Sequence, residues 1–200
     1  MKQEYKINRK KFFINIVLPA ILAQGLFILL IFAVVIPNFK ESLIEAKKEM
    51  VKEIINSSLY IAQSNYEDAA LGKITMEEAR NLTIRTIEQI RYGTDNKDYI
   101  WITDNVPNMI MHPYRKEMNG KNISYFTDPN GKRLFFEMVQ KVNSDGEGFV
   151  DYMWQWMDDS TRIVPKISYV KEFKEWQWIF GTGVYIEDIR NSIESTVNYL

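Results

Sequence analysis

An almost unbroken apolar run from Phe12 to Ile36, 25 residues long and preceded by Arg9, Lys10 and Lys11, constrains this chain more than any other feature. A helix rising ~1.5 Å per residue needs ~20 residues to cross a ~30 Å hydrocarbon core, so the run is long enough to span a bilayer. Pro19 and Gly25 would weaken a soluble helix but are tolerated in membranes, and Asn15 and Gln24 carry no charge. A cleaved signal peptide begins with similar basic residues, but its apolar core is usually only ~7 to 15 residues long and ends at a small-x-small site. Here bulky Ile31, Phe32, Val34, Val35 and Ile36 close the segment. The expectation is an uncleaved transmembrane helix at 12–36, with 1–11 as a cytoplasmic tail. Lys40, Lys47, Lys48 and Lys52 follow the span and make the charge bias modest. The tight Arg9-Lys10-Lys11 cluster favours an inside N-terminus, and long downstream domains translocate largely regardless of charge.

The residues after the span, about 160 of them, suit one domain with its own core. Net charge is −1, and the lysines after the span alternate with Glu41, Glu45, Glu49 and Glu53 as on a solvated helix face. Without a basic stripe to neutralise phosphates, nucleic acid is not an expected partner. The absence of cysteine excludes disulfides, thiolate metal sites and a cysteine nucleophile, and is permissible on either side of a membrane.

Apolar residues at Leu43/Ile44, Met50/Val51, Ile54/Ile55, Leu59, Ile61/Ala62, Tyr66 and Ala69 recur near the helical period and predict one long amphipathic helix ending at Gly72. Thr75 and Glu78 form a capping box for a second helix through Arg91, closed by Gly93. YIWIT, the turn DNVPN and NMIMH then read as a hairpin that Pro113 terminates. Asp128-Pro129 predicts the start of a third helix that stops before Gly146. Phe149–Trp156, Ile163–Phe173 and Trp178–Val184 read as three further strands, and Ile186 onward is helical in period again. This order points to an α+β fold with an antiparallel sheet rather than a wound parallel one.

Several phrases in this order, RYGTDNKDYIWITD (91–104), MHP (111–113) with NGK (119–121), DPNGK (128–132), GEGFVDYMW (146–154), PKISYVKEF (165–173) and WQWIFGTGVYIEDI (176–189), carry a family likeness. The chain from about Lys40 to its end resembles the single Cache sensor domains of bacterial chemoreceptors and sensor kinases. The resemblance implies a PAS-like antiparallel sheet packed on a long N-terminal helix at 37–200, lying periplasmic or extracellular. It further implies a small organic acid as ligand, no cofactor, and a homodimer through the long helix. Family members usually continue through a second span into a cytoplasmic signalling module, and this sequence stops where that span is expected.

Lys166 shares a strand face with Ser168 and Val170, opposite Ile167 and Tyr169. Taken alone it reads as a surface lysine, since lysines are rarely buried; the resemblance instead makes it the cation that meets a ligand carboxylate. His112 is the only histidine, which excludes dyads and metal sites needing two. A lone strand histidine is more often a hydrogen-bonded core residue, while the MHP match makes Met111 and His112 ligand contacts, with binding sensitive to pH if the imidazole titrates. Arg91 reads first as a cation at a helix C-terminus, and Tyr99, Trp101, Tyr152, Trp154 and Tyr169 as core aromatics whose polar tips could orient a ligand. Because Tyr99 and Trp101 alternate with Ile100 and Ile102, one set alone faces a pocket, and the aromatic set is the expected one.

Gly181-Thr182-Gly183 lacks the frame of a phosphate loop, and its glycines fit close packing. Asp158-Asp159 reads as a solvated loop rather than a metal pair. The expected function is a non-enzymatic, membrane-anchored sensor of a small carboxylate. A dimerising interaction module with a vestigial pocket is the alternative. An enzyme using His112 as base lacks an apparent nucleophile, metal set or cofactor loop.

Overall fold

The computed structural model describes residues 9–93 and 95–189. The chain is helical from Arg9 to Ala70 (α1), and among the described residues this helix is long and apolar enough to cross a membrane. Span and amphipathic helix, separate segments in the sequence pattern, are thus one helix. Two wider π turns, Phe13–Val17 and Ile31–Val35, lie just before Pro19 and Pro37. A proline ring collides with the carbonyl four residues earlier and contributes no N–H, so a wider turn relieves the clash and lets the helix continue.

The chain forms two compact units, Met1–Ile44 and Glu45–Leu200. In the second, α2 (Met76–Gln89) begins at the expected capping box: the Thr75 hydroxyl accepts from Glu78 N at 3.1 Å, and Glu78 accepts from Thr75 N at 2.7 Å. The helix ends at Gln89, short of the expected Arg91, because Ile90 turns to an extended conformation. Five strands follow: β1 (Trp101–Asp104), β2 (Met109–Met111), β3 (Glu147–Trp156), β4 (Asp159–Phe173) and β5 (Trp178–Tyr185). They form one sheet in the order β2-β1-β5-β4-β3, with antiparallel pairs throughout. The segment after β5 is helical through Ile189, and the remainder of that expected helix lies outside the described residues.

The helix before β3 differs from expectation. It spans Leu134–Asp145 (α3) and does not start at Asp128-Pro129. The Asp128 carboxylate instead accepts from Asn130 N and Lys132 N at 2.9 Å each and, through its other oxygen, from Met153 N at 2.9 Å. Gly131 takes a positive φ of 81°, so the turn closes on itself and is tied to β3 before the helix begins. The C-terminus of α3 falls as expected, with Gly146 in the left-handed conformation as its cap.

Each face of the sheet carries its own apolar layer. Val51, Ile55 and Ala62 of α1 and Ala79 and Ile87 of α2 pack with Ile100, Ile102, Phe180 and Val184 on one face. On the other, α3 and the β2–α3 connection supply Leu134, Phe135, Met138, Met118 and Ile123 against Tyr99, Trp101, Tyr152, Trp154 and Val170.

Candidate functional site

The second face holds Lys166, His112 and Ser168 among the buried polar groups, and strand register explains why. Lys166 in β4 stands opposite Tyr152 of β3 and Tyr185 of β5. Alternation from Lys166 sends Ser168 and Val170 to the same side and Tyr169 to the other. The structure buries Lys166 at 1% exposure, against the surface reading that its residue type favours. Its ammonium lies 3.3 Å from the Tyr185 hydroxyl and 4.3, 5.4 and 4.6 Å from the ring centroids of Tyr99, Trp101 and Tyr185. Ring faces attract a cation, yet none of the ion pairs among the described residues involves Lys166. Burial pulls its pKa well below the ordinary lysine value, opposed by the charges of Asp98 and Asp188.

His112 reaches the same place through an irregularity. Ile102 pairs with Met111 but Thr103 with Met109, so Ile110 is an extra residue in β2. Such a bulge reverses the alternation. Met111 therefore packs with Ile102 on the helix face, and His112 comes round to the aromatic face, its ring 4.8 Å from Tyr99 and 5.8 Å from Trp154. Nδ1 accepts the backbone N–H groups of Tyr114 (3.2 Å) and Arg115 (2.9 Å), which places the proton of the neutral ring on Nε2. Burial, then the charges of Lys166, Arg115 and Arg91, hold the His112 pKa well below its usual value. The imidazole is a fixed neutral donor, which removes the basis for expecting it to titrate.

Hydrogen bonds lock the surrounding aromatics. Trp154 Nε1 donates to Tyr99 Oη at 2.8 Å, and the Tyr152 and Ser168 hydroxyls pair at 2.8 Å. Tyr185 Oη accepts from Met157 N at 2.8 Å and donates to Gln155 O at 2.9 Å. The Thr182 hydroxyl donates to Tyr99 O at 2.6 Å and pairs with the Tyr92 hydroxyl. Gly181 and Gly183 serve close packing: a Cβ on the first would lie 2.4 Å from the Trp101 ring, and on the second 2.2 Å from Ser168 Oγ. Beside this cluster a cleft of about 320 Å³ is lined by Arg115, Phe126, Asp128, Trp154 and Gln155 among others. Arg115 lies over the rings of Trp154 (5.8 Å) and Phe126 (6.0 Å) and donates to Gln155 Oε1 at 3.3 Å.

The structure therefore brings together Tyr99, Trp101, His112, Tyr152, Trp154 and Lys166 of the residues selected from sequence. Met111 and Tyr169 lie on the opposite face, the first through the bulge and the second by simple alternation. Arg91 donates to Glu88 O (2.7 Å) and Ile90 O (2.8 Å), consistent with a helix-terminal cation, and meets the cluster at its edge by lying 5.1 Å over the Tyr114 ring. Sequence reasoning missed Tyr185, Thr182, Tyr92, Asp98 and Arg115. Tyr185 had a usable signal, since it alternates with Gly181 and Gly183 on one face of a β5 otherwise rich in large residues.

A long helix against a five-stranded antiparallel sheet, with a polar cluster on the sheet's far face, defines a PAS-like sensory domain. A family model described as Cache domain matches residues 32–198, and the chain belongs to that family. It is 32% identical over 148 residues to the methyl-accepting chemotaxis protein McpP of Pseudomonas putida, covering 74% of this chain and 27% of that one. The sensor histidine kinase MctS of Rhizobium johnstonii is 28% identical over 154 residues, 77% of this chain and 32% of that protein. The chain thus matches about a third or less of the length of these curated relatives. Among solved structures, a Cache chemosensory domain described for carboxylic acid recognition is 39% identical with a TM-score of 0.68, covering 72% of this chain and 97% of that one. A periplasmic sensor domain of a chemotaxis protein is 35% identical with a TM-score of 0.67, covering 72% and 96%. The chain contains a single Cache sensor domain of the kind found in chemoreceptors and sensor kinases.

Proposed function

We propose that this domain senses a small carboxylate outside the cytoplasmic membrane, binding it between Lys166 and His112 without chemically altering it, and that α1 carries the response toward the bilayer. The observation that carries the reading is Lys166: a fully buried ammonium held by one hydroxyl and three ring faces, with no ion pair among the described residues. An unpaired buried cation costs free energy, and an anionic ligand converts that cost into a charge-assisted hydrogen bond. The Nε2–H of His112 supplies a second donor, and the aromatic walls fit a short apolar tail. The structure recognised for carboxylic acid binding supports the choice of ligand class, and the relatives' roles support signalling.

Ligand acts in this scheme by differential affinity for two arrangements of the domain, which sets the ceiling on the signal it can send. The test is calorimetry on the full chain in lipid nanodiscs against formate, acetate, propionate, lactate and pyruvate. Saturable binding of at least one acid, without turnover, is expected, and loss of that binding in Lys166→Met. A panel that fails to bind at any pH, or turnover of one of the acids, overturns the reading.

A further inference from the structure

Both groups assigned to the ligand are closed off from solvent: Lys166 and His112 are each 1% exposed. An acid arriving from water reaches them only after part of the roof over the aromatic face has moved. That roof is α3 and the β2–α3 connection, and its parts are held in different ways. Five buried apolar side chains, Leu134, Phe135, Met138, Val139 and Val142, seat α3, and lifting it returns all of them to water. The turn at Asp128 is tied to β3 by the hydrogen bond from Met153 N. Residues 113–117 reach their surroundings instead through polar contacts at the rim. Tyr114 Oη donates to Lys97 O at 3.0 Å, Arg115 Nη1 donates to Gln155 Oε1 at 3.3 Å, and Lys116 pairs with Glu88 of α2 at 3.0 Å. Below them the chain closes on itself. Gly120 N donates to Met109 O at 2.7 Å, His112 N donates to Asn119 Oδ1 at 2.8 Å, and buried Met118 anchors the base in the core. A loop with a fixed base and a tip held by a few part-exposed polar contacts is the piece of this roof that moves at least cost.

We propose that residues 113–117 form a strap that opens to admit the ligand and closes over it, with Tyr114 and Arg115 as its latches and the His112 imidazole as the link between strap and ligand. This rests on the carboxylate reading of the site. The cleft beside Trp154 already brings solvent to one edge of the strap, at Arg115.

The imidazole supplies the link because its two nitrogens face different partners. Nδ1 accepts the N–H groups of Tyr114 and Arg115, so the closed strap holds the ring in the tautomer with its proton on Nε2. Opening withdraws both N–H groups and frees the ring to change tautomer and orientation. A carboxylate that accepts from Nε2–H therefore favours the closed strap, and by linkage the closed strap favours the carboxylate. The latches lie at the rim and hold with or without ligand. Weakening one raises the opening of the free and the bound protein by the same factor, so ligand enters and leaves faster while its affinity stays the same.

The experiment follows the binding of acetate, or of whichever acid of the panel saturates the full chain in nanodiscs, by stopped-flow kinetics, with amide hydrogen exchange read by mass spectrometry. Tyr114→Phe keeps the ring 5.0 Å from Tyr99 and removes the hydroxyl, and Arg115→Lys keeps the cation and gives up the planar fork. Each is expected to raise association and dissociation rates together by about two- to tenfold, the loss of one part-exposed hydrogen bond, with Kd unchanged within about twofold. In the free protein the amides of Tyr114 and Arg115 are expected to exchange faster than those of α3, to quicken in both variants, and to slow when acid saturates the site. Unchanged rates in both variants, a Kd that shifts through dissociation alone, or an α3 that exchanges as fast as the strap overturns the proposal. If no acid binds, the carboxylate reading falls by itself, and exchange in the free protein still decides the strap. Quickening in both variants that is confined to the strap upholds it, and exchange indifferent to both variants overturns it.

Discussion

The two faces of the sheet each carry a buried layer and differ in what they bury. On the helix face two buried helix hydroxyls donate to carbonyls of their own helices, Ser58 Oγ to Ile54 O at 2.7 Å and Thr83 Oγ1 to Ala79 O at 2.9 Å, and Thr83 Oγ1 also accepts from Asn65 Nδ2 at 2.8 Å. Around them that layer is a cluster of apolar and aromatic side chains. The opposite face buries Lys166 without an ion pair and a histidine whose Nδ1 is already occupied. One face is therefore built to hold the fold, and the other buries a lysine with no ion pair among the described residues, a cost in stability that the proposed anionic ligand would offset. Substitutions on the first should move stability and leave recognition alone, and substitution of Lys166 on the second should do the reverse.

The largest expected effect tests the first half of that contrast. Phe180 is fully buried in the helix-face layer, and Phe180→Ala should destabilise the domain by about 3–5 kcal/mol, the range for deleting a core phenylalanine. Lys166→Met, which fills nearly the same volume without the charge, should leave the ligand-free melting temperature unchanged or raised. Thermal unfolding of both variants checks this. A loss in Lys166→Met comparable to that in Phe180→Ala would show that the lysine holds the fold together, and the division between faces would fail.

The second prediction concerns binding and pH in Lys166→Met. Loss of the cation should cost about 1.5–3 kcal/mol of affinity for a carboxylate, as for a hydrogen bond to a charged group. The ligand-free protein should also show a linkage signature. The folded-state pKa of Lys166 lies below its unfolded value, so between the two the unfolded chain binds more protons and stability rises with pH. That rise, approached from neutrality toward the ordinary lysine value of about 10.4, should vanish in Lys166→Met. Chemical denaturation across this range measures it, and an unchanged slope in the variant would assign the rise elsewhere.

The contrast between faces also separates what the sequence made legible from what it did not. Helix periodicity, the Thr75–Glu78 capping box and the strand runs are local signals, and the elements they predict are present with ends displaced by a few residues. The start of α3 was misread because Asp-Pro is chemically suited both to a helix N-terminus and to a turn. The choice depends on Met153 N, 25 residues away, which completes the Asp128 carboxylate's set of donors. Alternation in β4 already assigned Lys166 and Tyr169 to opposite faces. Nothing local announced the bulge at Ile110, which exchanges Met111 for His112, because a bulge is a property of a strand pair. Asp98 was invisible for a related reason: its burial depends on a turn folding back over it.

His112 gives the next prediction. Removing its ring in His112→Ala strands the N–H groups of Tyr114 and Arg115, which should cost about 1–3 kcal/mol of stability, less than Phe180→Ala. It also removes the Nε2 donor and should weaken binding by less than Lys166→Met does. Because burial keeps the ring neutral, the pH dependence of binding should survive in His112→Ala. Affinity profiles of the variant against the parent provide the check, and a flattened profile would return the titration to the imidazole.

The smallest effect comes from the far end of the helix face. Thr75 accepts from Glu78 N, and Glu78 in turn accepts from Thr75 N, on an exposed turn at the start of α2. Thr75→Ala removes the hydroxyl and leaves one helix-end donor to water, at a cost of about 1 kcal/mol. Because α2 packs on the face opposite Lys166, through Ala79 and Ile87, that loss should lower the melting temperature without altering carboxylate affinity or its pH profile. Glu78 adds a finer check. Its pKa is held below the ordinary carboxylate value, first by the Thr75 backbone N–H, which Thr75→Ala keeps, and then by the Thr75 hydroxyl, which it removes, so the hydroxyl's contribution is present at neutral pH and fades as pH falls through the folded-state value. The difference in stability between Thr75→Ala and the parent should therefore shrink in acid. A measurable change in affinity at neutral pH would mean that the end of α2 is coupled to the ligand site through the sheet, and the two faces would no longer be separable.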